Sequence, residues 1–305
     1  MTIRGFTLQN GRRGVLAERA KGVLVESNII RQNLRQGVLI WEKSEGKVLN
    51  NQIVENLPDA DGTQGRGLNV TDSKVVISGN NISNNAEFGI IVFFSIVEVN
   101  NNQITGNAKD GVSLNESVDG LATPAVATLT GNKINGNKQF GLSVYGAAKI
   151  TVSNNQITDN NSYGVLLRGK TETSGTVEGA ITSNTITGNA GIGIYLYELV
   201  KVEISKNQVT NTKSLPNPND GAGDGIFLAR GANAKVLENT ITGNARNGVV
   251  VSGPSVAHLD SNVIKANQGC GVAGGGQATI TGSNNELSGN AEGDLCGSAP
   301  ASLKK

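Results

Sequence analysis

The sequence predicts an all-β solenoid of about twelve coils, each built from three short parallel strands. Three observations predict it. Eleven times an Asn stands two residues before an Ile, Val or Leu, as in Asn28-Ile29-Ile30 and Asn51-Gln52-Ile53. A second Asn follows three positions later in ten of these blocks; only the Val209 block breaks it, with Asn211-Thr212. The apolar anchors recur at Ile30, Ile53, Ile82, Ile104, Ile134, Ile157, Ile186, Val209, Ile241, Ile264 and Leu287, spaced by 22–23 residues or by 29–32.

One coil reads apolar-x-x-Asn-x-Ile-x-x-Asn-x-x-x-Gly-apolar-x-apolar, as from Ile77 to Val92. Apolar and polar residues alternate over short stretches, the two-residue period of strands. Asn and Gly fall between the stretches, where the backbone must turn. Each coil therefore has a valine strand (ending at Ile77 here), an isoleucine strand (around Ile82) and a glycine strand (after Gly89). Stacked turn asparagines would bond backbone groups of their own and the next coil, so the Asn columns have a structural role. Gly accounts for 41 of 305 residues and aromatics for 4%. Both suit tight turns and argue against helices.

Composition bounds the function. Net charge is +1 and no basic run exists, which argues against nucleic-acid binding. No apolar run reaches membrane-spanning length. The opening Met1–Phe6 is strand-like and is not a signal peptide. Cys270 and Cys296 lie one repeat apart and are expected to form a disulfide, since neighbouring parallel strands bring Cα atoms to about the 5.5 Å it prefers. That pairing points to an oxidising compartment. We read residues 1–297 as one domain and 298–305 as a polar tail able to cap the last coil. No amphipathic segment precedes Ile3, so either upstream residues are missing or a second chain covers Ile3, Phe6 and Leu8.

The unit Asn-x-Ile-x-x-Asn-x-x-x-Gly-Ile/Val-x-Val/Leu resembles the repeat of right-handed parallel β-helix proteins of the pectate-lyase-like superfamily, over about residues 3–297. Within it the chain is similar to bacterial exported β-helix proteins of unassigned function. Through Gly223-Asp224-Gly225-Ile226-Phe227-Leu228 it is also similar to the periplasmic accessory proteins of nitrous oxide reductase. The resemblance implies an extracellular, periplasmic or cell-surface protein. It says little of chemistry, because one fold hosts many functions.

Four insertions mark where function is expected. Two precede the glycine strand, between Asn56 and Gly67 and between Asn211 and Gly225; two follow it, between Leu114 and Leu129 and between Leu167 and Ile181. All border one sheet, and loops flanking a rigid sheet form a groove for a chain-like ligand. The superfamily's substrate groove resembles this arrangement. If Val38 and Ile40 point inward, alternation turns Trp41 outward, and likewise Phe93, Tyr145, Tyr195, Tyr197 and Phe227, with Arg168 in the same column. Such a row suits stacking against sugar rings. The alternative is that the inserted loops cover these aromatics as a second small core. Phe88, Phe140 and Tyr163 precede the coil glycine and read as a separate stack at the turn.

No complete catalytic motif stands out. Candidate acids are Asp59, Asp61, Asp110, Glu116, Asp119, Glu198, Asp220 and Asp224. Asp59-Ala60-Asp61-Gly62 can begin a calcium loop, with Asp220 and Asp224 as further calcium candidates, but the remaining ligand positions of the twelve-residue pattern are absent. Otherwise no cofactor is implied. The Asp-Asp…Gly-His-Gly pattern of polygalacturonases and the Asp-Pro-His of alginate epimerases are missing. His258 falls on a valine strand and reads as a solvated surface residue. Soft copper ligands are scarce. The full Thr-x-Thr pairs at Thr185/Thr187 and Thr240/Thr242 are not in adjacent coils, against an ice-binding face. Our reading is a β-helix that binds extended polysaccharide or serves as a rigid scaffold. The second reading is a polysaccharide lyase, with Arg168, Lys170, Tyr145 and Tyr197 as the group that would abstract a proton beside a uronate carboxyl.

Overall fold

The computed structural model describes residues 1–115, 124–170, 175–215 and 223–305. Its strands form three parallel sheets of twelve strands each, a right-handed parallel β-helix of about twelve coils. By compactness the chain divides into Met1–Ser143 and Val144–Lys305.

In the first unit the predicted repeat fixes the register. Val25, Val48, Ile77, Val99 and Leu129 stack on the valine sheet. Ile30, Ile53, Ile82, Ile104 and Ile134 stack on the isoleucine sheet. Val15, Val38, Leu68, Ile90 and Val112 stack on the glycine sheet. All are buried, so the three columns form the apolar bore. The coil glycine is a packing requirement. A Cβ on Gly89 would lie 2.6 Å from the Gly111 carbonyl oxygen and 2.7 Å from Ile104 Cγ2.

Two asparagine ladders run along this unit, through Asn28, Asn51, Asn80 and Asn102 and through Asn33, Asn56, Asn85 and Asn107. Each rung is doubly bonded. The backbone N–H and the Nδ2 of Asn51 both donate to Asn80 Oδ1, at 2.9 Å each. The amide thus satisfies a turn donor that burial would otherwise orphan.

The second unit repeats the scheme. Ile157, Ile186, Val209, Ile241, Ile264 and Leu287 stack in register. Where the second ladder breaks, the Thr212 backbone N–H still donates to Asn244 Oδ1, at 3.1 Å. At the end of this unit both ladders are closed by other acceptors. The N–H and Nδ2 of Asn285 bond the Leu303 carbonyl, at 3.0 and 2.9 Å. Asn290 Nδ2 bonds Asp294 Oδ1 at 2.9 Å, and Lys304 Nζ holds Asp294 Oδ2 at 2.9 Å. Residues 298–305 are therefore folded against the last coil, with a 3-10 turn at Ala301–Leu303 and Leu303 buried. The Cys270–Cys296 disulfide forms as expected, with Cα atoms 6.1 Å apart, and ties the strands Cys270–Gly275 and Gly293–Gly297.

Candidate functional site

Alternation along the glycine strands places the side chains as the sequence suggests. In the first unit Val38, Ile40 and Val92 line the bore, while Trp41 and Phe93 are half-buried at the strand ends. Trp41 stands beside Glu18, and Phe93 between Thr71 and Asn115. The outward column between them and the coil glycines is covered, however. Leu39, Asn69, Ile91, Ser113 and Ser143 face away from the bore yet are buried. In this unit the outward residues nearest the coil glycines are thus closed to solvent, while Trp41 and Phe93 keep part of their surface. The Trp41 indole N–H is itself buried without a partner.

That covered column hides a polar cluster around Asp110, one of the candidate acids, whose serine partners the sequence does not flag. Ser143 Oγ donates to Asp110 Oδ2 at 2.6 Å and lies 2.7 Å from Ser113 Oγ, which accepts from Asn115 Nδ2. Burial pushes the Asp110 carboxyl above the usual carboxylate range, against the lowering pull of Ser143 and the Phe140 N–H. Asp224 holds the matching place before its coil glycine in the second unit. Its Oδ1 accepts both the N–H and Nδ2 of Asn247, at 3.0 and 2.8 Å. Its Oδ2 is buried without a hydrogen-bond partner; the Arg246 guanidinium is 3.8 Å away. Burial raises this carboxyl too.

The second unit holds the aromatic site. Tyr195 stacks on Phe227, with centroids 5.3 Å apart, and meets Tyr163 and Tyr197 edge-on at 5.4 and 5.7 Å. Tyr163 thus also meets this cluster, its ring lying over Gly191, which has no side chain to exclude it. Strand register sets Arg168 beside Tyr197 and Tyr197 beside Ala229. Arg230, the residue after Ala229, reaches the same ring. The Arg168 and Arg230 guanidiniums each lie 5.0 Å from the Tyr197 centroid. Glu198 pairs Arg168 at 3.4 Å. Burial pushes the Tyr195 phenol up to about 12, so it is a neutral O–H donor. Arg230 escaped the sequence reading because it lies beyond the alternating strand, in a left-handed turn position with φ 53°.

The remaining candidates are dispersed. Tyr145 ends its glycine strand, half-buried. Lys170 pairs with Gly175 through two backbone hydrogen bonds. Asp59 is occupied by Arg35 and by the N–H and Oγ1 of Thr63, and the Arg35 bond holds it below the usual carboxylate range. Asp61 is exposed in the same turn. Glu116, Asp119 and Asp220 lie outside the described residues. Among the described residues no three His, Cys, Asp or Glu side chains converge as a metal site. His258 is exposed, bonded to Thr281. No helix of the described residues is long and apolar enough to cross a membrane.

The model of the right handed beta helix region matches residues 1–155, 95–223 and 141–301. The chain belongs to that family. No curated protein matches it by sequence. Among solved structures it is similar to the A-module of the mannuronan C-5 epimerase AlgE4 of Azotobacter vinelandii, with 14% identity and a TM-score of 0.71, over 99% of this chain and 90% of that one. It is similar also to a double mutant of the periplasmic alginate epimerase AlgG, with 12% identity and a TM-score of 0.70, over 92% of this chain and 74% of that one. At these identities the likeness is one of fold.

Proposed function

We propose that the protein is an exported glycan-binding β-helix whose second unit holds an acidic polysaccharide against Tyr195, Tyr197 and Phe227. The observation that carries this reading is the convergence of two guanidiniums on one ring. Arg168 and Arg230 both cover Tyr197, and Glu198 alone is paired with either of them among the described residues. Aromatic faces stack on the apolar faces of sugar rings, and a guanidinium fork binds a carboxylate in two places. The neutral Tyr195 hydroxyl supplies a donor beside them. Folds similar to this one include epimerases of mannuronan and alginate, and in this chain such a site would hold a polymer of that kind. The disulfide agrees with export. Arg168, ion-paired with Glu198 and stacked on Tyr197, supports the binding reading.

Calorimetry with oligouronates and neutral oligosaccharides tests it. Oligouronates are expected to bind, weakening with salt. Tyr197→Ala and the Arg168→Ala/Arg230→Ala pair are each expected to lose at least tenfold in affinity. Equal binding of neutral and acidic chains, or unchanged affinity in the arginine pair, would refute the acidic preference. An ultraviolet signal of unsaturated product would replace binding with lyase chemistry.

A further inference from the structure

A second cationic site lies in the first unit, on the turn that leads into the glycine strands, and it is independent of the aromatic site. Register sets Arg13 beside Gln36, and Gln36 beside Arg66. Most cations of this unit that have a side-chain partner meet a carboxylate. Arg35 meets Asp59, Arg66 and Lys109 share Glu87, Arg19 meets Glu42, and Lys21 meets Glu45. Arg13 is different. Its Nε donates to a neutral acceptor, Gln36 Oε1, at 2.9 Å. Gln36 is buried, and its own amide is held by Gln64 Oε1. The guanidinium is thus fixed by two amides that bring no charge, and its outward N–H groups have no acid partner among the described residues.

The neighbours make this more unusual. Arg12 precedes Arg13, and Arg35 precedes its register partner Gln36, so both flank Arg13; burial together with these two cations pulls its guanidinium below the usual arginine range. Asp59, the partner of Arg35, is already spent on it and on its own turn. Of the three guanidiniums only that of Arg35 has a carboxylate partner among the described residues, in a chain whose net charge is only +1. Repulsion between like charges would disperse long side chains on a free surface. Here the Gln36–Gln64 relay holds Arg13 in place against it.

We propose that Arg12, Arg13 and Arg35 form a binding site for an oxyanion, the sulfate, phosphate or carboxylate group of an anionic ligand. The planar fork of Arg13 presents parallel donors to two oxygens, and Arg12 and Arg35 supply the charge. An anion bound there offsets the repulsion among the three cations.

The full chain is titrated at constant ionic strength with sodium sulfate, phosphate and acetate. Binding is read by calorimetry and by the arginine Nε signals in nitrogen-15 NMR. One or more of these anions is expected to bind saturably, shifting the Arg13 Nε signal. Affinity is expected to fall at least tenfold in Arg12→Ala/Arg13→Ala, and Arg13→Lys is expected to recover only part of it, since the fork is lost. Arg168→Ala/Arg230→Ala, which empties the aromatic site, is expected to leave this binding unchanged. Sulfated and uronate oligosaccharides, each displaced by the free anion, distinguish the carrier. Absence of saturable binding by all three anions, or undiminished binding in Arg12→Ala/Arg13→Ala with its native circular dichroism retained, would overturn the proposal.

Discussion

Asn80→Ala is the sharpest test of how the coils are held together. The Asn80 side chain is buried and makes five contacts. Its Oδ1 accepts the N–H and Nδ2 of Asn51, and its Nδ2 donates to the carbonyls of Val48 and Ser78 and to Asn102 Oδ1, at 2.8–3.1 Å. The groups left behind fare differently. Asn51 Nδ2 keeps the Val25 and Leu49 carbonyls, and Asn102 Oδ1 keeps the Asn80 N–H. The Asn51 backbone N–H loses the acceptor it has. One orphaned buried donor costs about 1–3 kcal/mol, and the other lost bonds about 1 kcal/mol each where nothing replaces them. The expected loss is roughly 3 kcal/mol, a large share of the ~5–15 kcal/mol that holds a typical protein folded. The single tryptophan, Trp41, lies in the same unit, so its fluorescence in a urea titration reads the right region. Gln103→Ala, an exposed change on the adjoining strand, is the control and should stay within about 0.5 kcal/mol. Asn80→Asp sharpens the test. Its carboxylate would face the oxygens of Val48, Ser78 and Asn102, which raises its folded-state pKa above the unfolded value near ~4. A raised pKa means stability held at low pH and lost as pH rises through the folded value. This variant should therefore approach the native protein near pH ~4 and fall away by pH ~7. A loss under about 1 kcal/mol for Asn80→Ala would show that the ladder contributes little beyond what water supplies.

Reducing the Cys270–Cys296 disulfide, which closes a separation of 26 residues, should cost up to about 3.5 kcal/mol by chain entropy. Hydrogen exchange should show residues 293–305 opening first, and an unchanged profile in Cys296→Ser would refute the bond's role. For Asp224, the lesson comes from Asp110. Ser143 satisfies Asp110 Oδ2, whereas the matching position in the coil after Asp224 is Val250. Val250→Ser should give Asp224 Oδ2 a donor and lower its raised pKa. A raised carboxyl costs stability as pH climbs through it, so the gain, about 1 kcal/mol, should appear at neutral pH and vanish near pH ~3. Denaturation midpoints at the two pH values check this, and an equal effect at both would refute it.

The sequence by itself determined the repeat, the three strands of each coil, the bore residues, the asparagine columns and the disulfide pair. These follow from period and turn chemistry, which are local, and every coil votes for the same register. Alternation also placed Trp41, Phe93, Arg168 and Tyr197 off the bore. It could not say which outward residues stay open. Leu39 and Ile91 obey the outward rule and are nevertheless buried, whereas Tyr195 and Phe227 remain partly accessible. Nor could it bring Arg230 to Tyr197, leave Asp224 Oδ2 without a donor, or end the ladders on Leu303 and Asp294. The first two depend on which side chain in the next coil, 22 to 35 positions away, meets a given one, and the ladder ends depend on how the C-terminal residues fold back. The repeat fixes where the backbone of that coil lies. Side-chain size and charge at the facing position, which vary freely outside the bore, decide what is found there.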